Sequence, residues 1–204
     1  MARINCFDPI SSRIESMPKG EIFIISDFSD LADDAAIRKV LSRLEDDGKI
    51  RRIMRGVYDS PEYSEFLGEY VEPQPDKVAH ALARNYGWTI VPCGDTALNM
   101  LGLSTQVPAV WNYVSDGTYK EYAYGNTIIK FKRTTNKEIS KISYKTALVI
   151  QALKALGKEN ITDEIISKIA STTTDDEKTK MFTEAKYSTS WIYDIIKEIC
   201  GGAK

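Results

Sequence analysis

The stretch 33–58, DDAAIRKVLSRLEDDGKIRRIMRGVY, constrains the fold more than any other, because its hydrophobic period changes from helical to extended across one glycine. Ile37, Val40, Leu41 and Leu44 recur at i, i+3, i+4 and i+7, which sets one apolar stripe on one side of a helix and turns that side to a core. Asp33 is placed to cap the first turn, and Asp47-Gly48 supplies the residue type that ends a helix in a left-handed turn. At about 100° per residue, Ala35, Arg38, Lys39 and Ser42 point away from the stripe, toward solvent.

After Gly48 the chain reads as a two-stranded ribbon: 50–54 extended, Arg55-Gly56 as the turn, Val57-Tyr58 returning. Gly56 accepts the positive φ such a turn needs. Between Ala36 and Gly56, seven basic residues face three acidic ones (Glu45, Asp46, Asp47), a surplus of four on a chain whose formal net charge is −2. A helix with small and cationic side chains outward, followed by an arginine-rich ribbon, is how a winged helix-turn-helix meets the phosphate-lined grooves of double-stranded DNA. A solvated charged helix and hairpin in an unrelated small domain has the same local pattern. On the first reading the DNA-binding candidates are Arg38, Lys39, Ser42, Arg43, Lys49, Arg51, Arg52 and Arg55.

The preceding residues supply a scaffold. Ile10, Ile14 and Met17 predict a short helix over 9–17, stopped by Pro18-Lys19-Gly20; EIFII at 21–25 reads as a strand; Ser26-Asp27 caps a second helix carrying Phe28 and Leu31. Helix, strand, helix, helix and ribbon is the connectivity of a winged helix-turn-helix in about 60 residues. The run 61–75, with three prolines and no clean period, reads as a linker, giving a DNA-binding domain over 1–60 and a second domain over 76–204.

The second domain is expected to be α+β, with an antiparallel sheet and terminal helices. It opens with a helix over 76–86, bearing Val78, Ala79, Leu82 and Ala83 on one face, and a strand over 88–91. A short helix runs from Asp95 through Leu101, and strands follow at 110–114, 119–124 and 127–133, the last two joined by Gly125-Asn126. Helices are predicted over 143–156, from Thr162, and over 188–199.

Catalytic motifs are missing. The sequence holds no GxxxxGK[ST], GxGxxG or GxSxG pattern, and His80 is its only histidine, so an enzyme, a metal centre or a bound cofactor has no motif behind it. His80, between two alanines of a predicted helix, reads as structural or surface rather than catalytic. Asp175-Asp176-Glu177 reads as a solvated helix start rather than a metal site, and Gly94-Asp95-Thr96 as an ordinary capped helix rather than an anion site. Cys6, Cys93 and Cys200 lack CxxC spacing and read as free thiols. No apolar run approaches the roughly 18 residues of a membrane span, and the start lacks a signal-peptide layout, so a cytoplasmic protein with no membrane partner is expected.

Three blocks carry a family resemblance: MPKGEIFIISDF, AIRKVLSRLEDDGKIRRIMRGVY and VPCGDTALNMLGLSTQVP. They resemble the AbiEi-type antitoxins of type IV toxin-antitoxin systems, the LNMLGLSTQVP segment being the more specific. The resemblance implies a two-domain transcriptional repressor that binds its own promoter or operator, and an antitoxin in phage defence opposing a nucleotidyltransferase-like toxin. By position it carries the recognition helix to 35–46 and the wing to 50–58. The alternative is a winged-helix regulator whose second domain senses a ligand or drives assembly without a toxin partner.

Overall fold

The computed structural model describes residues 6–135 and 139–201. It is a mixed α+β chain with helices at both ends, dividing into two compact units, one ending at Gly87 and the other beginning at Trp88.

The first unit runs α1 (Phe7–Ser16), β1 (Ile22–Ile24), a single 3-10 turn (Ile25–Phe28), α2 (Asp34–Asp46), β2 (Arg51–Met54), β3 (Val57–Asp59), β4 (Tyr63–Ser64), β5 (Glu69–Tyr70) and α3 (Pro75–Tyr86). The stripe on α2 is buried, with Ile37, Val40, Leu41 and Leu44 packed against Ile10, Ile14, Phe23, Phe28 and Tyr58. Strands β1, β3 and β2 form an antiparallel sheet in that order. Asp33 caps α2 as its position predicts, its carboxylate accepting from the Ala36 amide at 2.8 Å.

Two expectations fail in this unit. The second helix is only a 3-10 turn, because Asp33 must be extended (φ −72°, ψ 158°) to cap α2 and leaves room for one turn. Phe28 and Leu31 are three apart, and the Leu31 amide donates to the Phe28 carbonyl at 2.9 Å. The run 61–75 is not a linker either. Its prolines bracket the β4–β5 hairpin, and α3 packs back on the first unit rather than opening the second. Polar ties hold α3 there: Lys77 reaches Glu21 at 3.1 Å, and Arg84 reaches Asp27 at 3.1 Å and the Ile22 carbonyl at 3.2 Å.

The second unit runs β6 (Ile90–Pro92), α4 (Asp95–Met100), β7 (Val110–Ser115), β8 (Lys120–Tyr124), β9 (Thr127–Arg133), α5 (Tyr144–Leu156), α6 (Asp163–Ser171), α7 (Asp175–Glu184) and α8 (Ser190–Ile199). The sheet order is β6-β7-β9-β8. Two pairings are antiparallel as expected, but β7 pairs with β9 in parallel, so this sheet is mixed. The Gly125-Asn126 turn specifies β8 with β9, whereas the Asp116-Gly117 turn between β7 and β8 joins two strands that are not neighbours in the sheet. The core gathers Val91, Ala97, Leu148, Leu153, Ile169, Met181, Ile192 and Ile196. Helix α7 begins at Asp175-Asp176-Glu177, the solvated helix start expected there, with a capping box in which Glu177 accepts from the Thr174 amide at 2.8 Å.

Helix α5 is tied to α7 through one carboxylate. Glu184 accepts from the Ser143 amide (2.9 Å), the Ser143 hydroxyl (2.7 Å) and the Thr146 hydroxyl (2.6 Å). Burial pushes its carboxyl up, but the hydrogen bonds from Thr146 and Ser143 outweigh this and hold it below the ordinary glutamate value. A depressed carboxylate stabilises the fold above its unfolded pKa, and that contribution fades as pH falls toward the folded value. Glu184→Gln is therefore expected to cost about 1 kcal/mol at neutral pH, with the difference from wild type shrinking below the ordinary glutamate range. Urea midpoints of both proteins from pH 7 down to about pH 3 check this; a difference that stays constant with pH refutes the linkage.

Candidate nucleic-acid interface

Because α2 buries its apolar stripe, its opposite side must face outward, and Ala35, Arg38, Lys39, Ser42 and Arg43 are all exposed there. The ribbon adds Arg52 on β2 and Arg55 in the turn, both exposed. Gly56 takes φ +80°, which closes the turn between Met54 and Val57. A bulge between Arg52 and Met54 interrupts the ladder and re-aims the strand.

The candidates divide by what already holds them. Lys39, Arg52 and Arg55 have no ion-pair partner among the described residues. Arg38 meets Asp34 at 3.6 Å one turn earlier, and Arg43 meets Asp47 at 4.0 Å while its guanidinium sits 4.6 Å from the Phe7 ring centroid. Lys49 pairs with Glu15 of α1 at 3.3 Å. These are solvent-exposed pairs worth under about 1 kcal/mol, weak enough to exchange for a phosphate.

Arg51 differs and leaves the candidate set. Its guanidinium grips Asp59 through two hydrogen bonds, Nε to Oδ1 at 3.1 Å and a terminal nitrogen to Oδ2 at 2.6 Å, and also donates to the Val71 carbonyl at 2.9 Å. Asp59 is 1% exposed, so this pair is structural and fastens β2 to β3 and to the end of the β4–β5 hairpin. The hydrogen bond to Asp59 raises the Arg51 pKa further. Sequence reasoning missed Asp59, because a regular two-residue hairpin turning at Arg55-Gly56 would set Arg52 opposite it, and only the bulge between Arg52 and Met54 brings Arg51 there.

Elsewhere, His80 lies half-buried on α3 with Nε2 3.7 Å from the Asp76 carboxylate one turn earlier. Cys6, Cys93 and Cys200 are free, and no cluster of three metal-ligating side chains occurs among the described residues. Among them, too, no helix is long and apolar enough to cross a membrane.

Over residues 9–181 the sequence matches a family of unknown function, DUF6088. The chain belongs to DUF6088. That match spans α2, the ribbon and the LNMLGLSTQVP segment, so the basic face and the second-unit block belong to a single DUF6088 sequence. A comparison with curated proteins finds no match. Among solved structures, the RV2827C protein from Mycobacterium tuberculosis aligns with this DUF6088 member at a TM-score of 0.44 and 10% identity, over 98% of this chain and 78% of that one.

Proposed function

We propose that the first unit is a winged helix-turn-helix that binds double-stranded DNA, and that the protein represses transcription from its own promoter. The observation that carries this reading is the exposed face of α2, where Arg38, Lys39 and Ser42 stand opposite the buried stripe and Arg52 and Arg55 extend from the adjoining ribbon. Helix α2 enters the major groove, and the β2–β3 turn lies along the flanking phosphates. The second unit carries the LNMLGLSTQVP segment, and on the resemblance of that segment it acts as the antitoxin half, opposing a nucleotidyltransferase-like toxin.

Binding to a duplex from the protein's own upstream region, followed by fluorescence anisotropy, tests the repressor part. With some five phosphates contacted, log K falls against log salt with a slope of about −4 to −5. Arg55→Ala is expected to weaken all duplexes uniformly and reduce that slope by about 1, whereas Lys39→Ala alters the preference among sequences. No preference for the upstream duplex over a scrambled one at about 0.15 M salt would sink the repressor reading. Co-expression with a neighbouring nucleotidyltransferase-like gene, scored for growth rescue, tests the antitoxin part.

A further inference from the structure

The β4–β5 hairpin is built to present an apolar tip. Tyr63 and Tyr70 are cross-strand partners in edge-to-face contact at 5.3 Å, the Ser64 hydroxyl accepts from the Leu67 amide at 3.2 Å, and the Val71 amide donates to the Glu62 carbonyl at 2.8 Å. Arg51 secures its base at Val71. At the tip, Phe66 is 97% exposed and Leu67 is 61% exposed. An ordered hairpin that holds a phenylalanine in water has the form of a plug without its socket.

The charge around the plug narrows what it fits. From Ser60 to Asp76 the chain carries Glu62, Glu65, Glu69, Glu72 and Asp76 and no lysine or arginine, so phosphate is repelled and a basic rim is favoured. Such a rim lies in the same unit. A cleft of about 300 Å³ opens at the foot of the hairpin, with Ile14, Leu44, Pro61 and Tyr70 among its walls and Lys19 and Lys49 beside them. Glu15 also borders it and is engaged by Lys49 at 3.3 Å. Lys19 donates to the Ser60 hydroxyl at 3.3 Å and has no carboxylate partner among the described residues, so it can face an incoming glutamate. The exposure of Phe66 means that it does not fill its own cleft.

We propose that the occupant is a second copy of this chain, each copy seating Phe66 and Leu67 in the other's cleft. Plug and socket lie in one unit, at the tip and at the foot of the same hairpin, so a two-fold axis can satisfy both contacts at once and the assembly closes as a dimer. Two hairpins facing tip to tip would instead set carboxylates against carboxylates. The interface is small with an aromatic centre and a charged rim, and its dissociation constant is on the order of 10 µM.

Sedimentation equilibrium of the full chain between about 1 and 200 µM, at about 0.1 M and 0.5 M salt, tests this. Wild type is expected to associate reversibly to a dimer, more weakly at the higher salt. Phe66→Asp should weaken association at least about tenfold. Lys19→Glu should weaken it a few-fold, and only at the lower salt. Both side chains lie on the surface, so circular dichroism should show an unchanged fold. A wild type that stays monomeric throughout overturns the proposal, as does a dimer that Phe66→Asp leaves intact. Association lost in Phe66→Asp but untouched by Lys19→Glu at the lower salt overturns the cleft as receptor. None of these readouts involves DNA, so the dimer and the repressor reading stand or fall separately.

Discussion

Arg51→Ala is expected to lower the stability of the first unit by about 2–3 kcal/mol, while Arg52→Ala, one residue along, changes it by less than about 0.5. The two arginines are adjacent on β2 and chemically identical, so only their surroundings separate them. Removing the Arg51 guanidinium leaves the Asp59 carboxylate 1% exposed with no cation against it, which is the costly way to break a buried pair. Arg51 itself keeps 30% of its side chain in water, which holds the cost below that of a fully buried pair. The Val71 carbonyl also loses its donor, so the hairpin beyond β3 loosens with it. Urea unfolding of the full chain, read by a probe in the first unit, checks both variants. In the Arg51→Ala/Asp59→Ala double variant the loss should be less than the sum of the two single losses. The DNA readout should show the reverse: Arg52→Ala lowers affinity at unchanged stability. Equal stability losses at the two positions would contradict the assignment of Arg51 to the fold and Arg52 to the surface.

Gly117→Ala is expected to destabilise the second unit by about 3 kcal/mol, although its φ lies outside the left-handed region. The conflict is steric. A Cβ at this position would lie 2.1 Å from Cε2 and 2.2 Å from Cδ2 of Trp88, inside the indole ring. Trp88 cannot withdraw cheaply, because it stands edge-to-face against Phe131 at 5.9 Å, and Phe131 also meets Tyr113 at 5.8 Å and Tyr122 at 6.0 Å. The added methyl therefore pushes on four aromatic rings, two of which, Tyr113 and Phe131, are fully buried. Thermal unfolding gives the magnitude. A Trp88→Leu background should recover part of the loss, since the smaller side chain yields the space. Full stability in Gly117→Ala would mean that the indole is not seated on this glycine.

These two cases also show which parts of the molecule were legible in the sequence. The α2 stripe was readable because a helix repeats its buried side every three to four residues, and Asp33 because a cap is a local event. Arg51 was not. Its partner lies across a hairpin, and in the linear chain it differs in no way from Arg52, so charge counting assigned both to DNA. The proline-rich run misled for a related reason: prolines mark where regular structure is interrupted but not whether the chain then leaves a domain or folds back on it, as α3 does. Gly117, beside Asp116, reads as an ordinary turn glycine, and the indole resting on it comes from 29 positions earlier. Of the eight candidate residues, seven lie on the outside, as a contact surface requires.

The parallel pairing at the centre of the second sheet has a consequence for how the protein is made. Val110 pairs with Ile128, eighteen positions later, so β7 leaves the ribosome well before its main neighbour exists. In that interval β7 has only β6 to pair with, and its Trp111, Tyr113 and Val114 border an open edge. The β8–β9 hairpin closes locally through Gly125-Asn126 and then arrives as a unit, covering that edge in one step. A nascent chain paused between these strands carries that open edge, and synthesis of the eighteen residues from Val110 to Ile128, about 1–4 s at 5–20 residues per second, sets how long the exposure lasts, since the hairpin itself closes in microseconds.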